Sequence, residues 1–488
     1  MFSLFRKHTP DVSRLIPWGG VEFEEQELAP HYAVMGMTSS GKTLVIRMLM
    51  KAVLCPENPK HRVRALVYDP KRDFYPVLVG MGVPREAIVV MHPFDARSTA
   101  WDIAADVTDA AASRQIAEVL SPPEKQNLQP FFVNASIDLV AAVIDVFRIL
   151  RPKAWTLNDM IEALTEPDRL RSVLSLTPDG RDVLQIYLGG SAETGANVLS
   201  TIRTKLAPYA TAARLSARAK NKISLTDWAK STTPQVLLLG TDDTNAATLD
   251  PLNRAIFLRA SQLVTGRSDE NPKDESWFFV DEARWAGKLE GLAGLLLKGR
   301  SKGAHVVLGF QDILGLRDVY EGQVADELVG QCGNFAVLKL NSPETMKWAA
   351  NCFGSFEEYV ASFGETTGWQ SSSTSVNHSL TTRQAMMEQE FRNFPLPKKG
   401  AGITGAFASP DKAWKDTIPA VFVALHLMEP SKDPGFEARP SEDQARVPRS
   451  DTPPWAHAPN APAPATKDGL PAPEAGKPLV TLPIHQQP

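Results

Sequence analysis

Residues 36–43 read Gly-Met-Thr-Ser-Ser-Gly-Lys-Thr, a G-x-x-x-x-G-K-T octapeptide whose residue types suit the holding of a phosphate chain. Gly36 and Gly41 let the loop, with Thr38, Ser39 and Ser40 between them, wrap an anion with its N–H groups. A helix N-terminus there adds partial positive charge. Lys42 is placed to reach the β- and γ-phosphates, and the Thr43 hydroxyl to ligate Mg2+. The bland reading is a glycine-rich strand-to-helix turn; the apolar strand 31–36 before it and the helical run 44–54 after it favour the phosphate loop.

Two further segments supply what a triphosphate site would need. The run WFFVDE (277–282) is an apolar strand ending in adjacent carboxylates, which are costly to bury unless a cation meets them. Beside a phosphate loop, Asp281 would hold the magnesium shell and Glu282 would polarise the attacking water. The stretch KGRSKGAHVVLGFQD (298–312) is a basic turn followed by a strand ending in Gln311, a residue type that senses a γ-phosphate or orients water. Arg300 lies in its glycine-flanked turn, where residue type alone reads as an ordinary surface arginine.

These segments need a scaffold. Apolar runs at 31–36, 64–69, 236–240, 277–282, 304–310 and 335–340 alternate with helical stretches, the pattern of a parallel sheet buried on both faces. Residues 109–230 offer helical periodicity instead, as in Val198, Ile202 and Leu206. The expected fold is α/β, a P-loop NTPase of RecA-like type with a parallel-sheet core, an all-α insertion and a disordered C-terminal tail. Its parts run 1–108 and 231–430 for the nucleotide-binding domain, 109–230 for the insertion and 431–488 for the tail. The tail rests on composition: 14 of the chain's 38 prolines lie between Pro430 and Pro488, with too little apolar surface to offset chain entropy. A length of 488 residues agrees with two or three domains.

Composition excludes several classes. A 43% apolar and 22% charged chain is not disordered as a whole. A net charge of −4 rules out a basic coat over the entire chain, so any polyanion site is local. The three cysteines, Cys55, Cys332 and Cys352, are too few and too far apart for a disulfide framework or zinc site and read as reduced core thiols. The most apolar helical run, 131–150, is interrupted by Asp138, Asp145 and Arg148 and belongs in a protein core. Among the scattered histidines, His305 opens a buried strand and reads as a core residue; Asp69, before Pro70, reads as a turn cap.

The order of these motifs resembles the TraD/TraG-type coupling proteins of type IV secretion, relatives of the FtsK/HerA DNA-pumping ATPases. The resemblance rests on the phosphate loop, RALVYDPKRDFYP, HPFDARSTAWDI, the helical insertion, FFVDEARWAGKLEGLAGLLLKGRSKGAHVVLGFQD and QCGNFAVLKLNSPETMKWAANCFG, and runs over most of residues 25–430. It implies ATP and Mg2+ at Gly36, Thr38, Ser39, Ser40, Gly41, Lys42 and Thr43, and a hydrolytic centre at Asp281 and Glu282. It assigns Gln311 to the motif after Walker B and Arg300 to a finger acting on a neighbouring subunit. It also implies a ring, usually a hexamer, threading DNA, with relaxosome or secretion-channel proteins as further partners. Family members begin with a transmembrane anchor, whereas this sequence reaches its phosphate loop by residue 36. The expectation is a cytoplasmic protein, either recruited to the inner membrane by a separate partner or a motor used outside secretion. Residues 196–226 carry Arg203, Lys205, Arg214, Arg218, Lys220 and Lys222 with no acid, a local site for sequence-independent phosphate contacts or a solvated basic face.

The reading is an ATP-hydrolysing, ring-forming DNA translocase of the coupling-protein kind. Its rivals are a HerA/FtsK-like motor for DNA processing or packaging outside secretion, and a nucleotide-switched platform that docks secretion substrates.

Overall fold

The computed structural model describes residues 14–122, 130–268, 274–368, 371–398 and 400–440. Within them the chain forms two compact units, residues 14–106 with 205–440, and residues 107–204.

The first unit is built on a nine-stranded sheet. Its strands, with two short pairs and a hairpin, are β1 (Leu15–Trp18), β2 (Val21–Glu24), β3 (His31–Met35), β4 (Arg64–Asp69), β5 (Ile88–Val90), β6 (Thr99–Trp101), β7 (Asn221–Ile223), β8 (Val236–Gly240), β9 (Ser276–Val280), β10 (Ala304–Phe310), β11 (Asn334–Val337), β12 (Ser355–Gly368), β13 (Ser371–Gln384), β14 (Ile403–Ala408) and β15 (Ala413–Ile418). The sheet runs β15-β14-β11-β3-β10-β9-β4-β8-β5. The pairings from β11 to β5 are parallel; β14 and β15 add an antiparallel edge. Strands β3, β4, β8 and β9 are buried along their whole length, as a sheet covered on both faces requires. Strand β10 lies between β3 and β9, so the carboxyl ends of all three open on one edge. In such sheets that edge is where ligands bind.

The helical unit contains Ala110–Leu120, Pro130–Leu150, Leu157–Thr165, Pro167–Leu174, Pro178–Leu188 and most of Ala192–Leu206. Its helices start where capping chemistry dictates. Asp109 accepts from Ala112 N, Thr156 forms a capping box with Asp159, and Thr177 precedes Pro178 at the first helical position. Helix Pro130–Leu150 is long and apolar enough to cross a membrane, yet Val133, Ile137, Val140, Ile144 and Phe147 are buried within the protein.

Three expectations change. The helical unit ends at Thr204, not at 230: residues 205–230 join the sheet-bearing unit through β7, which pairs with β6. Buried Asp106 explains this, accepting from Trp101 Nε1, Ser224 Oγ and the backbone N–H groups of Leu225 and Thr226. The basic run is therefore divided, with Arg203 in the helical unit and Lys205 through Lys222 in the other. Residues 431–440 of the expected disordered tail are ordered against the first unit. Ser431 N donates to Pro76 O, Asp433 pairs with Arg85, and Arg439 bonds the carbonyls of Phe94 and Leu215. The remainder, 441–488, lies outside the described residues. Of the cysteines only Cys332 is buried; Cys55 is half-buried and Cys352 exposed.

Candidate nucleotide-hydrolysis site

Strand β3 ends at Met35, and Gly36 continues it by donating to Phe310 O at 3.3 Å. The loop then turns through Ser39 (φ 64°) and Gly41 (φ 100°), and Lys42 opens the helix Lys42–Leu54. Gly41 stands where a side chain would strain the left-handed backbone. The Ser40 hydroxyl is buried with no partner, an orphaned group inside the loop that a bound phosphate oxygen would satisfy.

Lys42, Asp281 and Glu282 are each more than nine-tenths buried and meet one another. The Lys42 ammonium pairs with Asp281 Oδ1 and lies 3.1 Å from Glu282 Oε1. Thr43 Oγ1 donates to Asp281 Oδ2 at 2.8 Å. Hydroxyl and carboxylate thus share one small space, the donor set of a hard divalent cation that keeps several waters. Gly309 in β10 makes room for this, because a Cβ there would overlap Asp281 Oδ1 and Ile46. The residues present fit both a triphosphate and Mg2+.

Glu282 sits at φ 60°, a sparsely populated conformation for a side-chain-bearing residue. It is held by the bond from Ala283 N to Gly309 O and by its own carbonyl accepting from Trp285 N, both at 2.8 Å. Gln311, just past β10, donates from Nε2 to both carboxylate oxygens of Glu282, at 3.2 and 3.1 Å. Its Oε1 accepts from Thr38 Oγ1 at 3.4 Å. The intervening strand therefore places Gln311 between the phosphate loop and the acid.

Arg300 is not brought to this site. It is exposed in a turn before β10, at the amino end of the strand whose carboxyl end carries Gln311. Seven residues of strand span roughly 23 Å, too far for its side chain. His305 is stacked on Trp277, with ring centroids 4.3 Å apart, and burial lowers its pKa to about 4, so it is a neutral core residue. Asp69 caps a turn, accepting from the backbone N–H groups of Lys71, Asp73 and Phe74 at 3.3, 3.2 and 3.0 Å. Burial, with Asp73 adding to it, pushes Asp69 up to about 7.

Sequence reasoning missed half of the cavity. A space of about 770 Å3 opens from the phosphate loop onto Pro397, Ile403, Ala420, Val423 and Leu427. This apolar wall can take a base and ribose, while the loop takes the phosphates. Helix Lys42–Leu54 fixes part of it, with Lys51 and Arg47 donating to the carbonyls of Leu425 and Met428. Lys71 also lines the cavity. Its signal was in the sequence: it follows the strand that ends in Asp69 and Pro70, on the same edge as the other motifs.

Residues 15–404 match the family model described as the type IV secretion-system coupling protein DNA-binding domain. No curated protein matches the chain. The bacterial conjugative coupling protein TrwBdeltaN70, in an unbound form, superposes with a TM-score of 0.70 and 19% identity, over 88% of this chain and 93% of that one. The plasmid coupling protein TrwB in complex with the non-hydrolysable ATP analogue ADPNP gives 0.68 and 20%, over 88% and 93%. TrwB in complex with ADP and Mg2+ gives 0.68 and 19% over the same shares. At these identities the likeness is one of fold.

Proposed function

Because this chain belongs to the type IV secretion-system coupling protein DNA-binding domain family, we propose that it is an ATP-hydrolysing, ring-forming motor that moves DNA or nucleoprotein in conjugative transfer. The observation that carries the proposal is the meeting of Lys42 and Thr43 with Asp281 and Glu282, joined through Gln311. The solved relative's complexes with an ATP analogue and with ADP and Mg2+ support the same ligands here.

The loop 36–43 holds the triphosphate, with Lys42 turning from the two acids toward the β- and γ-phosphates. Thr43 and Asp281 hold Mg2+, which when bound offsets charge on the transferred phosphoryl group. Glu282 polarises the attacking water, and Gln311 keeps that carboxylate oriented and reports on the γ-phosphate through Thr38. Arg300 lies in an exposed turn on the edge of the sheet away from its own site, and its assigned role is a finger acting on a neighbouring subunit. The assembly is a ring, a hexamer by family analogy, with DNA as its load.

The test is ATP turnover measured beside oligomer size, with and without single- and double-stranded DNA. Stimulation by DNA that tracks assembly is the expected result. Wild-type turnover indifferent to DNA, with protein-substrate binding intact in Lys42→Ala, would replace the motor with a docking platform.

A further inference from the structure

A second lysine faces the hydrolytic acid. Lys71 Nζ lies 3.9 Å from Glu282 Oε1, and its side chain is 60% exposed, toward the cavity it lines. Lys42, by contrast, is held in the interior with both acids.

The loop carrying Lys71 is fixed on each side. Asp69 ties its start and end together through three backbone N–H groups. Arg72 takes a left-handed backbone, φ 57°, and two contacts hold its side chain. Its Nη1 lies 3.4 Å from Asp242 Oδ2, and its guanidinium stacks on the Phe436 ring at 4.5 Å. Phe436 also packs on His92, with centroids 5.2 Å apart. Arg97 pins this C-terminal strap by donating to the carbonyls of Pro434 and Gly435 at 3.0 and 3.1 Å. Gly435 has to be glycine, because a Cβ would overlap the Arg72 carbonyl.

A triphosphate in the loop competes for the Lys42 ammonium. Glu282 then loses its nearest cation while its strained backbone offers no other restraint on the side chain. What remains is the Gln311 amide and Lys71. We propose that Lys71 is a positioning residue: it takes over the Glu282 carboxylate when Lys42 turns to the phosphates, and the strap 434–439 holds its loop in place to do so. This rests on the hydrolysis proposed above.

The experiment uses the full chain with Lys71→Ala, Lys71→Arg and Phe436→Ala, measuring steady-state ATP hydrolysis and binding of a fluorescent non-hydrolysable ATP analogue. In Lys71→Ala, kcat falls about tenfold, a part of the roughly 100- to 10,000-fold that a positioned acid–base group supplies. KM and analogue affinity stay within about twofold, the mark of an interaction used in the transition state. Lys71→Arg recovers most of kcat, and Phe436→Ala loses a smaller part of it. An unchanged kcat in Lys71→Ala, a raised KM with kcat intact, or no recovery with arginine would each overturn the role. If the wild type binds the analogue and turns over ATP, such a result removes Lys71 alone. If the wild type binds no analogue, the nucleotide reading itself fails.

Discussion

At the carboxyl edge of the sheet Lys42 faces Asp281 and Glu282 beside an open cavity; at the amino edge Arg14 faces Glu25 and Glu275, both at 2.8 Å. Both edges bring one cation to two acids: Asp281 and Glu282 follow β9 and Glu275 precedes it, while Glu25 comes from the turn after β2. The amino edge closes on itself. Arg14 also donates to His61 O at 2.7 Å, and it is the cation among Glu25, Glu275 and His305, whose ligating atoms lie within 4.8 Å of one another. Lys42 instead divides itself between two carboxylates and borders a space sized for a nucleotide. A charge cluster becomes a site when its cation has somewhere else to go. The amino-edge cluster is a fastening for the ends of the strands.

The sharpest way to break this comparison is Glu282→Gln. It keeps a partner for Gln311 but removes the carboxylate, and turnover should fall about a thousandfold, as loss of a general base does. Nucleotide binding and thermal midpoint should hold. Turnover near the wild-type rate would put the chemistry elsewhere. Arg300→Ala comes next, with a loss of about a hundredfold if it stabilises charge in a neighbour's site. Mixing Arg300→Ala with Glu282→Gln subunits then restores activity, since each supplies what the other lacks. No recovery from rings shown to be mixed would confine the amino edge to a structural role.

Arg14→Ala tests the other side. It leaves Glu25 and Glu275 facing each other with little solvent, and removing one partner of a buried cluster costs about 3 kcal/mol. Burial already pushes Glu25 up to about 7 against the pull of Arg14. The denaturation midpoint should drop while turnover per folded molecule stays the same. Equal loss of turnover and stability would erase the distinction between the edges.

The carboxyl-edge site was legible because its pieces are local. An octapeptide between a strand and a helix, an Asp-Glu pair at a strand end and a Gln at the next each declare themselves within a dozen residues. Their convergence follows from parallel strands alone. What could not be read is what distant segments supply. The apolar wall at Pro397, Ile403 and Val423 comes from short pieces with no periodicity of their own. Composition placed residues 431–440 in a disordered tail, yet Phe436 and Arg439 suffice to anchor them because Arg72 and the Leu215 carbonyl stand ready. The limit of the helical unit was misplaced for a similar reason: Asp106 fixes Ser224 across 118 residues of sequence.

The histidines of the amino edge and Asp69 at the carboxyl edge should also respond to pH with opposite sign, while Glu25, raised to about 7, acts in the sense of Asp69. At the amino edge, burial lowers both His31 and His305 to about 4; the His305 ring and Arg300 also oppose protonation of His31, and Arg14 opposes that of His305, which Glu275 favours without reversing the result. The unfolded chain takes up those protons near 6.5 and the fold does not, so stability falls as pH drops from about 6.5 toward 4. At the carboxyl edge Asp69 is raised to about 7, and the unfolded chain releases its proton first, so that contribution is lost as pH rises from about 4 to 7. Each group changes stability by at most about 1.4 kcal/mol per pH unit in its window. Urea midpoints between pH 4 and 7 should therefore separate them. His305→Phe, which keeps a ring against Trp277, flattens the acid-side decline, whereas Asp69→Asn steepens it by removing the opposing term. A decline unaltered by His305→Phe would mean that this histidine is charged in the fold, and that the amino edge is held by an ion pair with Glu275 rather than by a neutral stack.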